Sequence, residues 1–312
     1  MRQNEFQIGC VGFVLENCQF LNIATYDKCP PPKCQHTNGM QGYSAIGLSG
    51  CIGCIIRGNH VPHSGGDALN FNSGEYIVTE NTVENTGDGC IAMNNNAFGT
   101  VSNNLLRRCN LGIGAGPSGG CNLPVPPNTP AWAGCGNPRG TGPDTNSTPF
   151  IVTGNTIEDC DYGVLLGWFG YKGRLGPMNT VISTNIIRRS RQAGIQYRGG
   201  GVDGAVIIQG NQIIHSGFPN EVPPGPESRR PIDPEKPGEG RGIYAWALRD
   251  VQIIGNSVSH SLGPAISSVG ANHVVISSNL LFNFNDDANN MSTGISITGS
   301  TDGVYASNQP QL

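Results

Sequence analysis

Polar and apolar positions recur along this chain with a period of about 22 residues. In each unit, two apolar residues and two spacers precede an Asn, and an apolar residue, a polar pair, a small residue and a Gly follow it. Examples are IVTENTVENTGDG and IVTGNTIEDCDYG, and a short apolar run comes after the Gly. The recurrent Asn residues are Asn59, Asn81, Asn104, Asn155, Asn185, Asn211, Asn256, Asn279 and Asn308, with Cys18 in the same place near the start. The shortest spacings are 22, 23 and 23 residues, and the longer ones equal one unit plus an insertion.

A unit of this length is too short for a βαβ crossover and lacks a leucine-rich signature, but it accommodates three short strands and three turns. The pattern therefore predicts an all-β fold, a single-stranded right-handed parallel β-helix of about ten coils, stacked about 4.8 Å apart. The Asn residues should form a hydrogen-bonded ladder. A second column of small side chains follows five residues later, at Ser64, Thr86, Cys109, Cys160, Ser190, Ser216 and Ser261. We expect one β-helix domain over residues 1–312, as part of a longer chain.

Four insertions rich in Pro and Gly interrupt the repeat, near residues 25–44, 115–149, 167–178 and 218–240. Each lies beside the strand that follows the Gly of its coil. These strands are Ala68–Phe71, Cys90–Met93, Ile113–Ala115, Val164–Leu166, Ile195–Arg198, Ile243–Ala247 and Ala265–Ser268. Loops on both flanks of one face should wall a groove along the helix axis, and such loops commonly carry function on a rigid scaffold.

Composition narrows the function classes. The net charge of −4 and the absence of a Lys/Arg block give no reason to expect a nucleic-acid partner. No apolar run is long enough to span a membrane. The chain has 11 Cys, and two pairs, Cys29 with Cys34 and Cys121 with Cys135, have the spacing of disulfides within loops. Such disulfides predict an extracellular protein. The CIGC motif stands alone, without zinc spacing, so no metal–thiolate site is expected.

Asp67 and Asp88 each follow a Gly and begin a groove strand on adjacent coils. Two carboxylates so placed can divide general-acid and general-base work, because their mutual repulsion separates their proton affinities. Asp is also an ordinary turn residue before a strand, and paired carboxylates can bind Ca²⁺. The sequence leaves the turn role and the calcium alternative open, and no other cofactor is expected.

The segment GDGCIAM at 87 to 93 resembles a motif of the polygalacturonase-type glycoside hydrolases, β-helices of the pectate lyase superfamily. In that family a Gly-Asp-Asp-Cys-Ile-Ala-Ile stretch follows an Asp on the preceding coil, where Asp67 lies here. The resemblance implies that Asp67 and Asp88 share the acid and base roles of a hydrolysis. Gly89 replaces the second Asp of the motif, and Asn110 lies where the family carries a His.

The chain is also similar to the β-helical alginate epimerases and lyases, which use His, Tyr and Arg or Lys beside an acidic residue. His63 in PHSGGD and the Tyr197-Arg198 pair could supply those groups. His63 shares its repeat position with His215 and His260, and a position with such varied polar residues elsewhere is also typical of a solvated turn.

Aromatic and basic residues near the groove strands are candidates for substrate binding, because aromatic faces stack on sugars and cations pair with acidic groups. They are Trp168, Tyr171, Lys172, Arg174, Tyr197, Arg198, Tyr244 and Trp246. Such a row suits an extended polymer, although Trp168 could equally pack its loop onto the helix.

These observations predict an extracellular enzyme that binds a polysaccharide and hydrolyses it with paired aspartates. A polysaccharide lyase or uronate C5-epimerase is the first alternative. The second is a non-catalytic structural or adhesive solenoid, such as part of a phage tailspike or surface filament, for which a homotrimer would be expected.

Overall fold

The computed structural model describes residues 11–21, 44–116, 150–167, 179–198, 205–217, 240–246, 250–284, 294–299 and 302–311. These residues form strands and turns, and they include no helix that could cross a membrane. The strands are β1 Val14–Glu16, β2 Ile46–Arg57, β3 His60–Val61, β4 Leu69–Thr79, β5 Thr82–Glu84, β6 Gly89–Ser102, β7 Leu105–Arg107, β8 Leu111–Gly116, β9 Phe150–Thr153, β10 Thr156–Glu158, β11 Tyr162–Leu166, β12 Thr180–Ser183, β13 Ile186–Ser190, β14 Ala193–Arg198, β15 Ala205–Gln209, β16 Gln212–Ser216, β17 Arg241–Trp246, β18 Asp250–Ile254, β19 Ser257–Ser261, β20 Ile266–Val269, β21 His273–Ser277, β22 Leu280–Phe284, β23 Ile295–Thr298, β24 Gly303–Ala306 and β25 Gln309–Gln311.

The strands build three parallel faces. The A face runs β6-β8-β11-β14-β17-β20-β23 and continues through the first halves of β4 and β2. The B face runs β6-β9-β12-β15-β18-β21-β24 and continues through the second halves of β4 and β2. The C face is a nine-stranded sheet from β3 to β25. Each strand pairs with the equivalent strand one coil away, so the predicted parallel β-helix is confirmed.

Alternation along each strand separates core from surface. On β9, Phe150 and Val152 are fully buried, whereas Ile151 and Thr153 are partly exposed. On the A face, Ile195 and Tyr197 point into the core, and Gln196 between them points outward. The core is thus a stack of aliphatic layers enclosed by three faces, and the outward residues of the A face form columns along the helix axis.

The Asn ladder is confirmed over its whole predicted length. The side-chain oxygen of Asn155 accepts hydrogen bonds from the main-chain and side-chain nitrogens of Asn104, at 3.0 and 2.9 Å. Its own amide donates to Asn185 on the next coil at 2.9 Å and to a B-face carbonyl, that of Val101, at 2.9 Å. The ladder starts where predicted, with the Cys18 main-chain nitrogen donating to Asn59 at 3.0 Å. Because the ladder amides from Asn59 to Asn279 are buried and satisfied, the ladder fixes the register of the turn from B face to C face.

On four consecutive coils, a Gly of the A face is required by a close approach between coils. A Cβ added to Gly163 would lie 2.5 Å from the carbonyl oxygen of Gly194 and 2.4 Å from the Ile187 side chain. Gly112, Gly194 and Gly242 are equally restricted. On these four coils, only a residue without a side chain lets the A face pack this closely against the neighbouring carbonyl and the C-face side chains.

The column of small residues contains a disulfide that the sequence pattern did not predict. Cys109 and Cys160 occupy it on adjacent coils, and their sulfur atoms are bonded. The predicted pairs Cys29–Cys34 and Cys121–Cys135 lie outside the described residues. A disulfide within the solenoid is typical of an oxidising compartment.

Candidate functional site

Asp67 and Asp88 lie at the beginning of A-face strands on consecutive coils. The ladder pairs Leu69 with Ile91, so Asp67 is level with Gly89 and Asp88 lies one residue earlier. One coil rise of about 4.8 Å and one residue step of about 3.8 Å place the two Cα atoms about 6 Å apart. The structure therefore places the two predicted aspartates on adjacent coils, with their backbones on a diagonal.

Two hydrogen-bond donors hold the Asp67 carboxylate. Oδ1 accepts from the main-chain N–H of Gly89 at 2.9 Å, and Oδ2 accepts from the Asn70 amide at 2.8 Å. The first bond directs the carboxylate along the helix axis, toward the peptide that links Asp88 and Gly89. Gly89 leaves room for it, because a Cβ there would lie 2.8 Å from Oδ1.

Asp88 makes a weaker contact with its following coil. The Asn110 amide donates to its Oδ1 at 3.4 Å, near the limit for a hydrogen bond. The main chain is fixed more firmly, since the Thr86 hydroxyl and the Asn110 N–H donate to the Asp88 carbonyl at 2.9 and 3.0 Å. Both aspartates are half-buried, so the pair is accessible from the outer side of the A face.

Asparagines on the outer side of the A face extend this polar site. The Asn70 side-chain oxygen accepts from the amides of Asn72 and Asn94, at 3.1 and 3.2 Å, while its nitrogen donates to Asp67. Sequence reasoning missed these residues. The alternation in LNFN, with Asn70 and Asn72 at outward positions, was the signal that could have identified them.

His63 lies in the turn that precedes the Asp67 strand and is half-buried. Its Nε2 is buried and has no hydrogen-bond partner among the described residues. His215 and His260, at the equivalent repeat position, adopt left-handed turn conformations with φ of 59° and 56°, and their rings lie 4.7 Å apart. This position is therefore a turn column, and His63 is the member nearest the aspartates in sequence.

The predicted substrate-binding residues divide into three groups. Trp168, Tyr171, Lys172 and Arg174 lie outside the described residues. The prediction that Tyr197 contacts substrate is not supported, because its ring packs in the core, 1% exposed, and burial raises the pKa of its hydroxyl. Sequence reasoning overlooked that Tyr197 has the same strand parity as Ile195.

Tyr244 and Trp246 do belong to the outward columns of the A face, and Arg198 is placed by its backbone register. Arg198 on β14 pairs in register with Trp246 on β17, and Trp246 is partly exposed. Tyr244 is only 2% exposed, and the Arg241 guanidinium carbon lies 5.1 Å from its ring centroid. Burial lowers the pKa of Arg241, opposed by its interaction with Tyr244. Arg241 was not predicted, although it has the same register position on its coil as Asp67 has on an earlier coil.

A buried ion pair lies on the coils between Asp67 and Arg241. Arg191 Nε is 2.8 Å from Asp161 Oδ1, and both side chains are at most 10% exposed. Burial raises the pKa of Asp161, and the hydrogen bond and charge of Arg191 oppose that rise. Asp161 follows Asp88 and Asn110 in the same register column. Among the described residues, no group of three or more acidic, His or Cys side chains could hold a metal ion.

The stacked coils and the acidic pair on one face define a parallel β-helix with a candidate site on its A face. The chain belongs to the family described as the right handed beta helix region, which matches residues 139–309, more than half of the chain. This match confirms the predicted handedness.

The chain is also similar to a solved structure, the Yersinia enterocolitica family 28 exopolygalacturonase, with a TM-score of 0.50 and 11% sequence identity. The match covers 83% of this chain and 43% of that one, so the chain spans less than half the length of that protein. A search of curated proteins finds no match. The predicted resemblance to polygalacturonase-type β-helices is thus confirmed as a resemblance of fold.

Proposed function

We propose that the protein is a glycoside hydrolase that binds a polysaccharide on the A face and cleaves it between Asp67 and Asp88. The observation that carries this proposal is the placement of two half-buried carboxylates on consecutive coils, with Cα atoms about 6 Å apart. Paired carboxylates at short separation are the usual catalytic groups of glycoside hydrolysis. The shared fold with a glycoside hydrolase is consistent with this role.

The hydrogen bonds suggest how the two residues divide the work. The two bonds that Asp67 accepts, from Gly89 and Asn70, stabilise its ionised form. Asp67 would therefore take a proton from the attacking water, whose oxygen forms the new bond to the anomeric carbon. Asp88 would donate its proton to the glycosidic oxygen as the bond to the leaving sugar breaks.

The surroundings support a polymeric substrate and an extracellular location. The A face carries the acidic pair on early coils, and on a later coil it carries the half-buried Arg241 and the partly exposed Trp246 on one strand. The disulfide between Cys109 and Cys160 supports secretion into an oxidising environment.

The test is a panel of neutral and acidic polysaccharides, assayed for new reducing ends and for the ultraviolet absorbance of unsaturated uronates. Asp67→Asn and Asp88→Asn should each remove the release of reducing ends without unfolding the protein. Asp250→Asn is the matched control, because Asp250 lies on the B face with its side chain 45% exposed. Full activity of either groove variant would refute the acid–base pair.

A lyase or epimerase is the second candidate, supported by the buried and unpartnered Nε2 of His63 in the adjacent turn. That nitrogen could accept the C5 proton of a uronate. Ultraviolet absorbance lost in His63→Gln, but kept in Asp88→Asn, would favour this function. No reaction on any polymer, with all variants folded, would favour a structural or adhesive solenoid.

A further inference from the structure

We propose that Gln196 marks a second sugar-binding position on the A face, remote from Asp67 and Asp88, which recognises two hydroxyl groups of one sugar unit. The inference deepens the proposed function, since it rests on a polysaccharide lying along the same face. It assigns a recognition role to a residue that the catalytic proposal does not use.

The Gln196 amide is buried at an outward position without its hydrogen bonds. The side chain is 1% exposed, and neither Oε1 nor Nε2 has a hydrogen-bond partner in the described part of the chain. By contrast, the Asn155 amide of the ladder is equally buried and both its atoms are bonded. A buried amide that lacks both partners destabilises a protein, so its presence calls for an explanation such as a ligand.

The neighbours of Gln196 resemble the lining of a saccharide site. In register, Leu165 lies on one side and Tyr244 on the other, and both are at most 5% exposed. Gln192, at the beginning of the same coil's A-face strand, also has a buried Oε1 without a partner among the described residues. A few polar groups between apolar and aromatic side chains are typical of ligand sites.

The chemistry of a free primary amide selects the ligand. Nε2 must donate and Oε1 must accept, and a pair of neighbouring sugar hydroxyls can satisfy both at once. A single anion would satisfy only the donor. The position therefore fits a hydroxylated sugar ring, with Tyr244 and Leu165 against its apolar surfaces.

The distance to the catalytic pair is set by the coil repeat. The register column that contains Asp88 continues through Asn110 and Asp161 to Gln192, three coils away. Three rises correspond to about 14 Å along the axis, and Gln196 lies four residues beyond Gln192, about 13 Å across the face. The column that contains Gln196 includes Ala92 and Gly114, and neither residue has a side chain larger than a methyl group. One extended chain can therefore lie over both positions, whereas a short oligomer can contact only one.

The experiment measures binding rather than turnover. Oligogalacturonides and cello-oligosaccharides of graded length, from the dimer to the octamer, are titrated calorimetrically against the Asp67→Asn/Asp88→Asn protein with and without Gln196→Leu. We expect affinity to rise with length until both positions are spanned, and Gln196→Leu to weaken the longest oligomers of the bound series about tenfold. The unfolding temperature without sugar should stay equal or rise, because Leu removes an unsatisfied amide.

Gln252→Leu is the matched control, since Gln252 is exposed on the B face and should affect neither quantity. A lowered unfolding temperature with unchanged sugar binding would show that Gln196 is structural and overturn the inference. It would also be overturned if neither series bound, or if Gln196→Leu left the gain of affinity with length intact. Gln196-dependent binding by a wild-type protein that hydrolyses no polymer would support this position while refuting the hydrolase.

Discussion

Substituting Gly89 with Ala tests whether the position of the Asp67 carboxylate matters, without removing any charge. The new Cβ would lie 2.8 Å from Asp67 Oδ1 and 3.7 Å from the Ala92 Cβ, so the carboxylate is the only group that must move far. An ordinary contact of about 3.5 Å requires a displacement of about 0.7 Å. This lengthens the 2.9 Å hydrogen bond from the Gly89 N–H to about 3.6 Å, where it ceases to be one.

The expected effects on activity and stability differ in size. Misplacing a catalytic group by about 1 Å can reduce the rate about 100-fold, so we expect Gly89→Ala to lower kcat/KM by about 10- to 100-fold. Losing the hydrogen bond to the carboxylate costs about 1.5–3 kcal/mol, and replacing Gly with Ala offsets about 0.4–1 kcal/mol of that. The protein should therefore remain folded, with its unfolding temperature lowered by only a few degrees.

The assay is reducing-end release on the polysaccharide identified by the panel, with thermal unfolding measured on the same preparations. Gly47→Ala is the control, because Gly47 occupies an outward A-face position and a Cβ there meets nothing within 4 Å. Undiminished activity in Gly89→Ala would refute the reasoning that the Asp67 carboxylate is positioned for catalysis. An equal loss in Gly47→Ala would show that the A face tolerates no side chain, whatever its contact with Asp67.

Three further predictions concern stability. Asn155→Ala should destabilise the protein by about 3 kcal/mol in chemical denaturation, because it leaves buried partners on both neighbouring coils unpaired; a change below 1 kcal/mol would contradict the ladder's role. Reducing the Cys109–Cys160 disulfide, which closes 51 residues, should cost about 4 kcal/mol, and a Cys109→Ser/Cys160→Ser variant that is insensitive to reductant provides the control. Arg191→Gln should cost about 3–5 kcal/mol near neutral pH by leaving Asp161 charged and buried. Because burial already raises the pKa of Asp161 in the folded protein, this deficit should shrink as the pH falls through that pKa and the carboxyl is protonated; a pH-independent deficit would refute this explanation.

The fold was predictable because the constraint repeats. Each ladder Asn needs the next one on the following coil, so the sequence must place an amide once per turn, and insertions only lengthen the spacing. The same argument could have identified the disulfide, since Cys109 and Cys160 were aligned in one column one coil apart. Aligned cysteines on adjacent parallel coils are close enough to form a disulfide, and this was the step that the prediction omitted.

The site was less predictable because it depends on single residues. Asp67 and Asp88 are 21 residues apart in a repeat of 22, and that difference sets them on a diagonal rather than in one column. The repeat alone shows neither that Gly89 fills the matching position nor that its N–H binds Asp67. Tyr197 and Gln196 are neighbours on one strand and point to opposite sides of it. The apolar Ile195, two residues before Tyr197, indicated that Tyr197 faces the core, but its aromatic ring suggested a sugar-binding residue.

The register columns distinguish residues that the fold requires from residues that are candidates for function. The Asn column repeats one residue type because every coil uses it in the same way, and the turn column that includes His215 and His260 varies while its members contact one another. The column that contains Asp67 continues with Gly89, Leu111, Tyr162, Ala193 and Arg241, so no stacking rule selects its side chains. A stacked fold needs neither a carboxylate nor a half-buried guanidinium in such a column. The A-face residues that break the repeat are therefore the ones whose presence folding explains least. Substituting them should affect ligand binding before it affects stability.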